Sequence, residues 1–369
     1  MKDIKIVIGS GFGDEGKGLM TDYFSRKTGG IVVCSNGGAQ RGHTVVMPDG
    51  IRHVFHHFGS GTFNQASTYL SENFILNPII FKQEYAELIK IGCKPIEVYI
   101  NKKCMITTPF DMMANQIIEE SRGKNKHGSC GLGIYETIKR YQAGITDLNY
   151  TGLRRYYIER FEMDGIALSD KWKEIFYDNG VVEHFMDDLD FMWSHCIPIK
   201  DSNFLNHFDN IIFEAGQGLL LDQNNMEYFP HLTPSNTGIK NPKRIIENME
   251  WNDDICIETC YVTRTYMTRH GAGKFPTECD KSCINPEMYD KTNVPNPHQD
   301  TLRYGLLDLG QLHERCVNDV GDFGHKKSIA FTHINEYPVD KTEIEDLFEG
   351  WDTYFSDGET RNNVIKEDK

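Results

Sequence analysis

Eight residues near the start of the chain, GFGDEGKG at 11–18, constrain the fold more than any other stretch. They follow an apolar run, IKIVIGS, and lead into DEGKGLMTDYFSRK, which has the pattern of a helix. A buried strand that turns through glycines into a helix N-terminus is a building unit of parallel α/β sheets. Gly11, Gly13 and Gly16 let backbone N–H groups approach an anion, and the helix N-terminus adds partial positive charge. The spacing Gly11-x4-Gly16-Lys17 matches a P-loop up to its last position, where Gly18 replaces the usual Ser or Thr. The hydroxyl that normally holds Mg²⁺ is therefore missing. The same glycines satisfy the dinucleotide pattern G-x-G-x-x-G, but the second strand, IVVCSN, ends without an acid to hold a ribose. A glycine turn without any ligand is the third reading. Asp14 argues against it, because a carboxylate beside phosphates is repelled unless a cation accompanies it or it has a chemical task.

Beyond the loop, VVMPDGIRHVFHHF reads as a hairpin turning at Pro48-Asp49-Gly50. NPIIFKQEYAELIKIG reads as a helix opened by Asn77-Pro78 and ended near Gly92. PIEVYI, NIIFEA, ICIETCYVT and KKSIAFTHI have strand character, and strands alternating with helices predict a mainly parallel sheet covered on both faces. The chain is expected to form one continuous domain over 1–369, with a helical insertion at about 151–200 and a poorly ordered polar tail at about 352–369. Within the insertion, Met163, Phe176 and Met192 are expected to face the core.

Charge and cysteines narrow the partners. With 39 basic and 54 acidic residues the net charge is −15, which argues against a surface that coats a nucleic-acid polymer but not against a small anion in a local pocket. No apolar run is long enough to span a membrane, and the N-terminus lacks a signal-peptide pattern, so a cytoplasmic location (host cytoplasm for a viral chain) is expected. Ten cysteines without a secreted framework agree with a reducing interior. The pairs Cys256/Cys260 and Cys279/Cys283 have C-x3-C spacing, but the first lies in an apolar strand, so structural thiols are expected rather than zinc ligands.

Five blocks, in order, resemble the adenylosuccinate synthetase family. GDEGKG (13–18) matches its glycine loop, and NGGAQRGHTVV (36–46) resembles G-G-x-N-A-G-H-T. AGQGLLLD (215–222) resembles G-A-Q-G-x-L-L-D, and FPHLTPSNTG (229–238) resembles Y-P-x-V-T-x-S-N-T. TRHGAGKFPTE (268–278) resembles T-R-V-G-A-G-P-F-P-T-E. The resemblance implies a P-loop-like, nucleoside-triphosphate-binding ligase fold with insertions. It also implies a homodimer that joins L-aspartate to the 6-oxo carbon of a purine monophosphate with Mg²⁺.

By that resemblance Asp14 is the base for purine N1 and a Mg²⁺ ligand, with the Gly42 carbonyl as a second metal contact. His43 serves the departing γ-phosphoryl oxygens, Lys17 neutralises phosphate charge, and Gln217 bonds the reacting purine oxygen or its neighbour. Gly11, Gly13, Glu15, Gly16, Lys17, Gly18, Gly42, His43, Thr44, Thr332, His333 and Asn335 fall at the triphosphate. Asp14, Gln40, Ser129, Cys130, Gln217, Thr233, Arg269 and Gly271 fall at the purine monophosphate, with Ser129 and Thr233 at its 5′-phosphate.

The chain departs from the family in three places. Its arginine-rich aspartate loop corresponds to NPHQDTLRYGLLD (296–308), which leaves Arg303 and Thr301 as the candidates for aspartate. The guanine-reading T-K-x-D becomes Thr332-His333-Ile334-Asn335, which removes the carboxylate and opens the donor to ATP or dATP as well as GTP. An arginine expected from the second subunit near 141–144 is missing. These losses resemble a phage branch that acts on dGMP, whereas the retained Asp14 favours IMP, which ranks first. A nucleotide-binding module without catalysis is the reading from another class.

Overall fold

The computed structural model describes residues 1–26, 30–123, 128–287 and 302–367. Its frame is a ten-stranded sheet whose order across the sheet is Ile197–Ile199, Val98–Asn101, Ser67–Leu70, Ile31–Cys34, Asn210–Gly218, Lys2–Gly9, Ile255–Arg264, Lys326–Thr332, Asp352–Ser356 and Val364–Lys366. Every neighbouring pair is parallel except the last, which is antiparallel. The first strand of the chain lies inside the sheet, with Ile4 opposite both Ile211 and Ile257.

Side-chain alternation along this strand explains why both faces are covered. Ile4, Ile6 and Ile8 point to one side, where Ile245, Leu312, Cys316 and Ile344 of three helices (Lys240–Glu247, Leu309–Val320, Lys341–Leu347) complete the core. Val7 points to the other, against Leu19, Met20, Tyr23 and Phe24 of the helix Lys17–Phe24. The expected α/β class is the observed one.

The helix Pro78–Lys90 begins where Asn77 caps it, its side chain accepting from the Ile80 N–H at 3.2 Å. The hairpin pairs His43–Val46 with Arg52–Phe55, His43 standing opposite Phe55. In the helical stretch, Tyr150–Met163 and Asp170–Tyr177 pack Leu153, Tyr157, Phe161, Trp172 and Phe176 onto the helix Pro109–Arg122. Asn179–Ser194 packs Phe185, Leu189 and Met192 onto Phe81 and Leu88.

Two expectations fail. Met163 is 80% exposed, because it is the last residue of its helix and projects past the helices it was expected to meet. The segment from 352 is not a loose tail: it supplies the last two strands, buries Tyr354, Phe355 and Val364, and pairs Arg361 with the buried Asp22 at 2.7 Å. Three apolar anchors spread over a polar stretch suffice because the sheet edge satisfies the backbone.

Candidate active site

The site lies where the parallel strands end, the position at which α/β sheets bind ligands. The strand Lys2–Gly9 delivers the glycine loop, which turns through left-handed conformations at Gly13 (φ 106°), Asp14 (φ 64°) and Gly16 (φ 99°). Asp14 is a non-glycine residue in that region, and its backbone is held there by the Arg264 Nε–H, which donates to the Asp14 carbonyl at 2.6 Å. The Thr332 hydroxyl likewise donates to the Glu15 carbonyl at 2.7 Å.

Glu15 turns inward. Its carboxylate accepts from the Gly11 and Gly13 N–H groups at 3.0 and 2.8 Å and from the Lys17 ammonium at 2.7 Å. The loop amides and the lysine thus surround an anion the chain itself provides. A Cβ on Gly18 would stand 2.7 Å from the Thr44 carbonyl, so the missing P-loop hydroxyl has no room at this position.

The hairpin brings His43 to the loop. His43 Nδ1 lies 2.9 Å from Glu214 Oε1, and the other oxygen of Glu214 accepts from Arg41 Nη2 at 2.9 Å. All three side chains are buried. Burial, then Arg41 and Lys17, hold the His43 imidazolium below its usual pKa against the pull of Glu214. Burial alone would raise the Glu214 carboxyl, but His43 and Arg41 outweigh it and bring it to about 2. The arrangement is a neutral imidazole steered by a permanent carboxylate, which stabilises the imidazolium whenever a proton arrives at the ring.

One cleft of about 1060 Å³ gathers Gly13, Asp14, Glu15, Gly16, Lys17, Gly18, Gln40, Gly42, His43, Thr44, Ser129, Cys130, Gln217, Thr233, Arg269, Gly271, Thr332, His333 and Asn335. Gln217 is left-handed at φ 58°, and the buried Oε1 atoms of Gln217 and Gln40 have no hydrogen-bond partner among the described residues. Two orphaned acceptors in one cleft are a mark of a polar ligand. Ser129 Oγ accepts from Asn115 Nδ2 at 2.9 Å, just before the helix Ile134–Gln142. That helix starts at a left-handed Gly133 with no side-chain cap, so its first N–H groups are open to an anion. Burial pushes the Cys130 thiol up, which makes it a weak nucleophile.

Other sites differ from expectation. Arg303 forks onto Glu278 at 2.8 and 2.5 Å and donates to the Gly271 and Gly273 carbonyls at 3.1 and 2.9 Å. It braces the 271–273 turn and does not border the cleft, so its guanidinium is engaged within the chain rather than offered to aspartate. Thr301 lies outside the described residues. Gly11 supports the loop from within and does not line the cleft. Arg269 is clamped over Phe12 and Tyr228 at 4.4 and 5.5 Å, and burial with the nearby Arg303 lowers its pKa to about 10.

Sequence reasoning missed Glu214, Arg41, Arg264 and His270. Glu214 was a lone acid in the buried strand Asn210–Gly218, which was signal enough. Arg41 and His270 stand where the family blocks have Ala and Val. Arg264 Nη1 also donates to the Tyr266 hydroxyl at 2.8 Å, and that hydroxyl donates to Glu336.

The sequence model of the family described as adenylosuccinate synthetase matches residues 6–320. The chain belongs to that family. Adenylosuccinate synthetase of Microcystis aeruginosa is 30% identical over 284 residues, covering 74% of this chain and 62% of that protein. The Lactobacillus acidophilus adenylosuccinate synthetase is 30% identical over 287 residues, covering 74% and 64%. The chain thus spans less than two thirds of the length of these curated relatives. Among solved structures, fully ligated adenylosuccinate synthetase from Plasmodium falciparum has a TM-score of 0.68 at 18% identity, over 99% of both chains. Cyanophage S-2L succinoaminodeoxyadenylate synthetase, bound to dGMP and dATP as an energy donor, also has 0.68, at 16% identity over 100% of this chain and 96% of that one. Both share the fold. No helix among the described residues is long and apolar enough to cross a membrane.

Proposed function

We propose that the chain joins L-aspartate to C6 of IMP, giving adenylosuccinate through a 6-phosphoryl intermediate driven by a nucleoside triphosphate. The observation that carries this reading is that Asp14 and the Glu214-steered His43 open onto one cleft, beside orphaned carboxamide oxygens and an uncapped helix N-terminus. Asp14 takes the proton from N1, and the freed charge makes O6 a nucleophile for the γ-phosphorus. As the bond to the β–γ bridging oxygen breaks, His43, steered by Glu214, hydrogen-bonds the departing phosphoryl oxygens. The aspartate amine then displaces phosphate from C6. Lys17 leaves Glu15 to meet the triphosphate, while Ser129, Thr233 and the helix N-terminus hold the 5′-phosphate.

The residues present fit Mg²⁺. The Asp14 carboxylate and Gly42, with its carbonyl, both border the cleft, and no group of three or more His, Cys, Asp or Glu side chains forms a metal cage among the described residues. That sparse donor set suits an ion that keeps waters and substrate phosphates as ligands. When bound, Mg²⁺ supplies charge neutralisation at the phosphoryl oxygens.

The second reading is the same chemistry on dGMP or GMP, with ATP or dATP as donor. Asn335 supports it, since its amide offers both a donor and an acceptor to an adenine edge, whereas a carboxylate offers only acceptors. Family likeness supports a homodimer and a cytoplasmic setting under either reading. The test incubates purified protein with aspartate, Mg²⁺ and each of IMP, GMP and dGMP against GTP, ATP and dATP, with products read by mass. Absence of product from IMP overturns the first reading. Ligand binding without turnover on any combination, unaltered in Asp14→Ala and His43→Ala, supports a binding module instead.

A further inference from the structure

His56 follows the hairpin strand Arg52–Phe55 directly, and three of its polar groups are committed within the chain. Its N–H donates to Glu84 Oε1 at 2.8 Å, which ties it to the buried acid of the helix Pro78–Lys90. Its carbonyl accepts from Arg41 Nε at 2.8 Å. Its ring Nδ1 lies 3.0 Å from the Ala39 carbonyl and 2.5 Å from the Arg41 carbonyl. A carbonyl only accepts, so Nδ1 carries a proton and shares it between the two oxygens. Arg41 and His56 thus clasp each other, each side chain donating to the other's carbonyl.

What lies just downstream gives the clasp its consequence. The Arg41 carbonyl belongs to the planar peptide that enters Gly42, and His43 comes next. Glycine has the widest backbone range of any residue, so the course of the chain at Gly42 has to be set by its surroundings. The bond of the turn itself, from the Arg41 N–H to the Gly38 carbonyl at 3.1 Å, closes before that peptide. The His56 ring stands beside it, where a Cβ built on Gly42 would lie 3.8 Å from His56 Cε1. Arg41 also donates to Glu214, the carboxylate that steers the His43 ring. The His56–Arg41 pair therefore reaches His43 through its backbone and through its ring.

We propose that His56 is a positioning residue for His43: its Nδ1–H fixes the Arg41–Gly42 peptide and with it the angle at which the His43 imidazole enters the cleft. The proposal rests on the role given to His43 in phosphoryl transfer. His56 does not border the cleft, so it acts through the backbone and not on a substrate. The donor is present in the neutral ring and in the doubly protonated one, so the role needs no titration of His56.

Asn is the matched replacement, because its Nδ2 is as many bonds from Cα as the imidazole Nδ1, whereas Leu has the same branching and no donor. His56→Asn, His56→Leu and wild type are compared in two measurements. One is turnover with aspartate, Mg²⁺ and the purine monophosphate and triphosphate that wild type uses best. The other is amide hydrogen exchange at 39–43, read by mass spectrometry with the strand Lys2–Gly9 as internal reference. His56→Leu is expected to lose turnover by about tenfold or more, the scale of a displaced catalytic group, and to exchange faster at 39–43 alone. His56→Asn is expected to stay within about threefold of wild-type turnover and to keep the protection. Equal loss of turnover in both variants overturns the proposal. So does faster exchange in His56→Leu with turnover kept, which makes His56 a structural clamp only. Should His56→Leu unfold, seen as faster exchange in Lys2–Gly9, His56→Gln takes its place, since its N–H lies one bond further out. If wild type turns over no combination, the reaction falls and exchange alone judges the clasp: unchanged exchange at 39–43 in His56→Leu overturns it too.

Discussion

Replacing Glu214 by Gln tests the electrostatic centre of the site. Glu214 is fully buried, accepts from Arg41 Nη2 at 2.9 Å and from the Ser60 N–H at 3.4 Å, and lies 2.9 Å from His43 Nδ1. Its carboxyl sits at about 2 in the folded protein against an ordinary 4.5, because His43 and Arg41 overcome the cost of burial. That depression stabilises the folded protein by an amount on the order of a few kcal/mol. Because the folded pKa is depressed, that stabilisation is complete above the unfolded pKa and disappears as pH falls from about 4.5 through about 2. Glu214→Gln removes the charge but leaves the Arg41 guanidinium buried, a change that costs on the order of 3–5 kcal/mol when a buried pair is broken. The amide can still accept from Arg41, so the lower end is expected. Urea unfolding of both proteins at pH 7, 5, 4 and 3 checks this. The variant should be less stable by about 3 kcal/mol at pH 7, with the gap narrowing below about pH 4.5. A gap under about 1 kcal/mol at pH 7, or one that does not change with pH, would refute the assignment of Glu214 as the charge that binds Arg41 and His43 together.

Asn335→Asp should raise kcat/KM for GTP relative to ATP by tenfold or so, read with a saturating purine monophosphate, since it restores the carboxylate that pairs with guanine. Gly9→Ala places a Cβ 2.4 Å from Glu15 Oε2 and 2.7 Å from Lys17 Nζ. It should lower stability by about 1–3 kcal/mol in chemical denaturation and weaken triphosphate binding in the same protein. Asp14→Ala and His43→Ala should each reduce turnover by about 10²–10⁴-fold in single-turnover assays while circular dichroism stays unchanged. A chain ended at Gly350 removes the buried Tyr354, Phe355 and Val364 and the Arg361–Asp22 pair, and should lose near-ultraviolet dichroism.

The parts of the fold that could be read from sequence were those whose pattern is local. IKIVIGS, the glycine loop and Asn77-Pro78 each carry their own periodicity, turn or cap, and all three form the elements they announce. The closing strands carried no such signal. FSDGETRNNVIKEDK is mostly polar because an edge strand needs few anchors, and its partner for Asp22, Arg361, is 339 residues away. In the site, the matched blocks led to residues that do share one cleft, but not to the side chains that steer them. Arg41 and His270 carry no local signal of their own; only the fold puts one against Glu214 and the other beside Asp14. Arg303 shows the reverse: charge type suggested a ligand contact, and geometry committed it to Glu278.

The inside position of the first strand sets a clock on biosynthesis. Ile4, Ile6, Val7 and Ile8 are synthesised well before their two neighbours, Asn210–Gly218 and Ile255–Arg264. At about 5–20 residues per second, the nascent chain carries this apolar segment for roughly ten to fifty seconds before both sides can be filled. Such long-range parallel pairing is slow to form and prone to association while it waits. The same strand that later holds the glycine loop in place is thus the segment most in need of protection during translation.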